Sequence, residues 1–435
     1  MTTMLRKLPD EIQGELYTQT IRTTEVNFSS SQLDCVKQSD HSKTTLRLIK
    51  DGRLSVAVSS KPDSEDALLA NALEAAPYGT PVQFNFPGKS ALPVIHQEDE
   101  DSNRAEIETI LTLAEELNHA VCAYDARIAA DTMVRRTERE VALVNTAGFT
   151  GRYQKTTWEA RAGGQLIQGD DFLWVYATAL ASGSGHLNYD KLKQEVIQQF
   201  AWSMNVVPFT PGSYPVIFAP GQVGFLTAPL LACLNGKAIV SNISPWKEKL
   251  GEKLLDSRVT LIDDGTLPQT VSSKPFDRDG IPTRRNVLLE QGVVKQFLLD
   301  CQSAQELGMD STGNSTANGV AAHHVLLTPG ERSVWDLVQQ IDTGLLVLDT
   351  MGAWSGNLYS GNVSGNISLG LKIEKGKITG RVKNCMFSMN AFRHFQNYLL
   401  ALSRESKEVR GHGPFDSATA TYPYVALADV IITAE

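Results

Sequence analysis

The chain has 435 residues, of which 42% are hydrophobic and 20% charged, and it carries a formal net charge of −9. That length holds two or three domains at roughly 100–200 residues each, and the acidic balance argues against a general nucleic-acid binder, which needs a basic face; Arg284-Arg285 is the one tight basic pair near a motif. Met1–Thr20 has no apolar core behind a basic start, no run reaches the roughly 18 apolar residues of a membrane span, and five scattered cysteines form no CxxC pair, so the expectation is a reduced, cytoplasmic protein.

In chain order, strand-type segments come first, over Thr23–Ser60. Leu46 and Leu48 alternate on one side of Lys50-Asp51-Gly52, and Leu54, Val56 and Val58 on the other, which predicts a hairpin closed by Asp-Gly. A helix is predicted over Asp63–Ala76, opened by Ser64 and Glu65 and stopped by Pro77. Phe84–Arg104 is polar and Pro-containing and reads as an irregular surface loop. Glu106–His119 is an amphipathic helix with Ile107, Ile110, Leu111, Ala114 and Leu117 on one stripe. Thr132–Ser184 is a run of strands in which NTAGFTG (Asn145–Gly151) and RAGGQ (Arg161–Gln165) read as turns. Tyr189–Trp202 is a second amphipathic helix. Two prolines and a glycine at Pro208–Gly212 mark a boundary between a 1–207 domain and a 208–435 domain.

Beyond that boundary hairpins dominate, over Asn286–Asp300 around Gln291-Gly292 and over Leu369–Cys385 around Lys375-Gly376. Helices are predicted at Gly221–Asn235, Ser333–Ile341 and Asn390–Arg404, the second opened by a capping box in which Asp336 replaces the usual Glu. Pro229 falls inside the first of these, so a kink or break is expected near Phe225–Pro229. Hairpins without strict βαβ alternation give an α+β fold: a mixed α and β N-terminal domain and a C-terminal domain dominated by antiparallel sheet.

The commonest nucleotide-binding and hydrolase motifs, GxGxxG, GxxxxGK[ST], GxSxG and HExxH, are absent. His323-His324 invites a metal reading, but neighbouring strand residues point to opposite faces, so a loop-to-strand junction is the better account. His394 reads as a structural histidine beside the stripe Phe392, Phe395, Leu399 and Leu402. His412 falls in a loop. The pairs Asp263-Asp264 and Asp277/Asp279 could serve acid/base or hard-cation chemistry, yet Asp279-Gly280 fits a turn former. Cys233, within an apolar run, reads as an inert core thiol.

Phe276–Gly319, FDRDGIPTRRNVLLEQGVVKQFLLD followed by SAQELGMDSTGN, resembles the TldD/PmbA family, the so-called modulators of DNA gyrase. Tyr214–Pro220, Tyr359–Ile378 and the C-terminal ALADVIITAE agree with it, and the N-terminal half does so more loosely. The resemblance implies a two-domain α+β protein of a metallopeptidase family. Its TldD-like branch carries an HExxxH helix for a catalytic metal; its TldE/PmbA branch lacks the motif and pairs with the first. Here the motif positions fall on Ala228, Pro229 and Cys233, Gly221–Lys253 contains no histidine, and no cysteine follows Cys385. The resemblance therefore implies a non-catalytic subunit with no cofactor of its own, zinc being expected only in a TldD-like partner. Ser311, Thr312, Gly313, Asn314, Gly361 and Asn362, on two Gly/Asn/Ser loops, are candidate peptide-cleft residues, and neither nucleic acid nor membrane is expected as a partner. A homo-oligomeric peptide- or protein-binding module is the alternative. An independent hydrolase using Asp263, Asp264, His323 or His412 is a third.

Overall fold

The computed structural model of the chain describes residues 4–60, 65–95, 106–183, 187–353, 356–411 and 419–434. The first part runs β1 (Gln13–Ser29), β2 (Gln32–Lys50), β3 (Arg53–Ser59), α1 (Glu65–Ala75), β4 (Thr80–Pro81), α2 (Ile107–Tyr124), β5 (Ala129–Asn145), β6 (Thr150–Gln168), β7 (Asp171–Ser182) and α3 (Tyr189–Ser203). Next come β8 (Gly212–Phe218), α4 (Pro220–Cys233), α5 (Gly236–Val240), β9 (Leu261–Asp264), β10 (Arg285–Glu290), β11 (Val293–Val294), α6 (Cys301–Leu307), β12 (Ser315–Thr316), β13 (Gly319–Val320) and β14 (His324–Leu327). The chain closes with α7 (Val334–Gln339), β15 (Thr343–Met351), β16 (Asn362–Glu374), β17 (Lys377–Val382), β18 (Cys385–Asn390), α8 (Ala391–Asn397), β19 (Leu399–Arg410) and β20 (Thr419–Ala434).

The fold is α+β, as the hairpin pattern implies. The first seven strands make one antiparallel sheet in the order β4-β3-β2-β1-β5-β6-β7. Successive residues of its strands point to opposite faces. Even-numbered residues such as Val26, Val134, Trp158 and Ala160 are buried in one cluster with Ile110, Leu117 and Val121 of α2 and Val196 and Phe200 of α3. Most odd-numbered residues of β1, β5 and β6 face the other way, free of helices.

The second sheet runs β11-β10-β9-β14-β20-β18-β16-β15-β8, and β8 pairs again with β20, so part of it closes into a ring. Two of its pairings, β14 with β20 and β15 with β8, are parallel, so this sheet is mixed. Helix α4 packs against β20, β19 and β15. Every residue of α4 except Gly221 is buried, as expected of a helix that is apolar all round.

Several expectations are corrected. RAGGQ is not a turn: Arg161–Gln165 lies inside β6, and the chain reverses at Gly169-Asp170. Its glycines serve close packing. A Cβ at Gly163 would sit 2.0 Å from the Val175 carbonyl oxygen, and one at Gly164 2.4 Å from that of Ala129. The helix expected over Asn390–Arg404 ends at Asn397. Leu399 and Leu402 are buried as strand residues of β19, paired with Leu427 and Val425 of β20, so spacing that suits a helix also suits a bulged strand.

Of the kink or break expected near Phe225–Pro229, the break does not occur: α4 continues through Pro229 to Cys233, although the missing N–H costs about 3 kcal/mol. The hairpin at Gln291-Gly292 has a second arm of only two residues. Within the expected surface loop after β4, Phe84 and Phe86 are buried with Ile49. The capping box at Ser333 and Asp336 is present. His96, His186 and His412, the Ser64 cap and the end of the 84–104 loop lie outside the described residues.

Candidate functional site

The DRDG turn and STGN loop form a buried polar joint. Asp277 accepts the backbone N–H groups of Asp279 and Ile281 on Oδ1 and of Ser315 on Oδ2, each at 2.9 Å. Asp279 pairs with Arg47 at 2.8 Å. Arg47 holds both Glu15 oxygens at 2.8 Å, and Arg278 adds a further bond to Glu15. Burial and the neighbouring Asp279 push Asp277 up to about 7. For Asp279, burial is the largest single influence and acts upward, but the Arg47 charge together with hydrogen bonds from Arg47, Cys301 and Ser315 holds the group below the usual carboxylate range.

Asn314 donates to Asp263 at 2.6 Å and to the Ala321 carbonyl at 3.1 Å, and accepts from Thr312 at 2.6 Å. Thr312 accepts the Leu299 N–H at 2.7 Å, and Ser311 donates to the Leu299 carbonyl at 3.1 Å. Gly313 adopts φ +75°, and a Cβ there would lie 2.7 Å from the Pro282 carbonyl oxygen, so the position requires glycine. Thr312, Gly313, Asn314 and Ser315 are thus buried inside the joint, and the chain emerges from it at Thr316 and Ala317. Gly361 and Asn362 lie elsewhere, where Asn362 accepts from Asn390 at 2.9 Å; the structure does not bring them to the same place.

The candidate acid/base residues are also internally satisfied. Asp263 accepts the N–H groups of His323 and His324 at 2.6 and 3.0 Å, and burial raises it to about 6. Asp264 accepts from Thr266. His324 meets Thr419 and Thr421 through its two ring nitrogens, at 2.8 and 2.9 Å, and His323 meets the Gly313 carbonyl. Burial lowers His323 to about 3 and His324 to about 4, so both are neutral. His394 is buried with its ring nitrogens on the Asn390 and Asp429 carbonyls.

Ala228, Pro229 and Cys233, the positions onto which the resemblance places HExxxH, lie inside α4. Ala228 offers no donor atom and Pro229 no basic group. Cys233 is fully buried, and burial pushes its thiol up to about 12. A metal needs convergent, deprotonated ligands, so these three positions do not fit one. Among the described residues no group of three or more His, Cys, Asp or Glu side chains could hold a metal ion.

The open feature is a cleft of about 670 Å³ between the helix-free face of the first sheet and the stretch 271–278 with Ser315–Ala317. On the sheet side it is lined by odd-numbered residues of β1, β2, β5 and β6, among them Thr23, Lys43, Arg139 and Lys155. Lys155 donates to the Ser273 carbonyl at 2.8 Å and its hydroxyl at 2.7 Å, and also to the Thr270 carbonyl, fixing that wall. Sequence reading missed this cleft. Its cations lie far apart along the chain, and the one available signal was their common odd-numbered place in alternating strands.

The profile of the PmbA/TldA metallopeptidase C-terminal domain matches residues 211–434, just over half of the chain. The chain belongs to the PmbA/TldD family. A metalloprotease PmbA homolog of Buchnera aphidicola is 27% identical over 191 residues, 44% of this chain and 41% of that protein. A metalloprotease TldD homolog of Haemophilus influenzae is 26% identical over 197 residues, 44% of this chain and 41% of its own length. The matched region thus spans about two-fifths of these curated relatives. TldE from Thermococcus kodakarensis shares the fold of this PmbA/TldD-family chain, with a TM-score of 0.89 at 23% identity over 97% of both chains. A Thermotoga maritima protein described as a candidate modulator of DNA gyrase does so with a TM-score of 0.86 at 21% identity, over 97% of this chain and 96% of that one.

Proposed function

We propose that this chain is a TldE/PmbA-like non-catalytic subunit of a cytoplasmic metallopeptidase that acts on unfolded peptides. It assembles with a zinc-bearing TldD-like partner and holds peptide in the cleft between its two sheets. The observation that carries this reading is α4: the family scaffold surrounds it, while Ala228, Pro229 and Cys233 leave nothing to bind or activate a metal-bound water. A cleft walled by extended strands suits an extended peptide. Among the described residues no helix is long and apolar enough to cross a membrane.

The helix-free face also carries Ile167, Phe172 and Trp174, each at least half exposed, and β7 is an edge strand. Such an apolar patch is typical of an assembly surface, and it serves equally the second reading, a homo-oligomeric peptide-binding module without a protease role. Co-expression with a TldD-like partner separates the two. A stable complex of unlike chains supports the first reading; a homodimer that ignores the partner supports the second and refutes the first.

A further inference from the structure

The cleft carries a charge opposite to that of the protein. Eight of its lining residues are Lys or Arg and two are Asp or Glu, in a chain whose net charge is −9. Some of this charge is already paired: Arg135 and Arg410 are held by Glu159, Arg135 also by Glu25, and Arg278 by Glu15. Lys37, Lys43, Arg139, Lys155 and Lys274 have no carboxylate within ion-pair distance among the described residues.

The arrangement is costly without a ligand. Arg139 stands directly across from Lys155 in the β5–β6 register, and like charges facing each other on a sheet repel. Lys274 approaches from the other wall. Burial first, and then the charge of Arg139, lower Lys155 to about 7 and Lys274 to about 8, against the pull of Glu408 on Lys155 and of Asp277 and Asp263 on Lys274. Basic groups gathered from two walls of a concave site, Arg139 and Lys274 without a carboxylate partner among the described residues, form a seat suited to an anion.

We infer that this cleft selects acidic peptides, seating an Asp or Glu carboxylate between Arg139 and Lys274, with Lys155 adding charge from the wall it fixes and Lys43, beyond β1 on β2, available for a second. The inference rests on the reading of the cleft as the peptide site. A peptide fits the walls better than nucleic acid does. Between the cations stand hydroxyls of Thr23, Thr137 and Thr157. The aromatic rings of the cleft are engaged with the protein itself: Tyr153 packs in a T-shape against Phe276 at 5.4 Å, and Arg278 lies over one face of Tyr17 at 4.4 Å.

Fluorescence anisotropy on the isolated full chain tests this with four labelled probes of equal length: a Glu-rich peptide, a neutral Gly/Ser peptide, an oligolysine and a single-stranded DNA. The Glu-rich peptide should bind at least about tenfold tighter than the neutral one, and R139Q and K274Q should each weaken it about tenfold, as expected for a charge-assisted hydrogen bond. Because R139Q also relieves repulsion at an exposed position, its Tm should not fall. DNA binding as tight as that of the acidic peptide, or acidic binding indifferent to R139Q and K274Q, would overturn the proposal. Equal binding of acidic and neutral peptides sinks the charge preference alone, whereas binding of no peptide at all sinks the cleft as a peptide site.

Discussion

Arg47 of β2 and Asp279 of the DRDG turn pair at 2.8 Å across the junction of the first sheet and the family's most recognisable segment. Asp279 is buried and Arg47 nearly so, and the same guanidinium holds Glu15 in a bidentate pair. The turn is therefore a clasp between the two halves of the chain. R47M would strand two buried carboxylates, with Arg278 left to compensate Glu15 only. A buried pair broken on one side costs about 3–5 kcal/mol. The urea midpoint should drop accordingly, while K7Q, which removes the exposed pair with Asp66, should leave it unchanged.

Asp277 makes the clasp pH-sensitive with a definite sign. Its folded value, about 7, lies above its ordinary 3.8, so the native state binds the extra proton between those limits. The associated stability is full below about 4 and is lost as pH rises through 7. His323 and His324, held neutral by burial, act oppositely below 6.5. D277N puts a non-titrating side chain in its place. The stability of wild type relative to D277N should therefore rise as pH falls from 7 to 4; a constant difference across chemical-denaturation curves would contradict the assignment.

Glycine positions should separate by their surroundings. Ala at Gly163 must push against the Val175 carbonyl 2.0 Å away, and overpacking of this kind costs roughly 1–3 kcal/mol or more. Gly221 is the second residue of α4 and has open space where a Cβ would go. G221A should stabilise by up to about 1 kcal/mol. Thermal melts of the two variants should move in opposite directions.

Cys233 should behave as a core thiol. Burial raises its pKa to about 12, and burial raises Cys385 as well, whereas Cys35 is exposed. In the native protein at pH 8 a thiol reagent should label Cys35 readily and Cys233 only after unfolding, as mapped by mass spectrometry. Rapid native labelling of Cys233 would mean that α4 is open to solvent.

Much of this architecture was legible in the sequence because it rests on short-range signals. The Asp51-Gly52 and Lys375-Gly376 turns, the apolar stripe of α2 and the Ser333 cap each depend on a few neighbouring residues. What failed depended on distant partners. Gly163-Gly164 looks like a turn until β7 and β5 are placed beside it, and Leu399 and Leu402 look helical until β20 pairs with them. Ser311–Asn314 could be recognised as a special loop. Whether its side chains faced a ligand or the interior was decided by Asp263, Asn286 and Leu299. The basic cleft was the least legible feature, since its charges come from four strands and one loop and are diluted in sequence by Glu.

The central claim, that this chain carries the scaffold of the site without its chemistry, is tested most directly by peptide hydrolysis with the purified chain in the presence of zinc, alone and mixed with a TldD-like metalloprotease. The account predicts no cleavage and no stoichiometric zinc for the chain alone, and cleavage that depends on both chains in the mixture. Zinc bound one to one, with cleavage by this chain unaided, would contradict it.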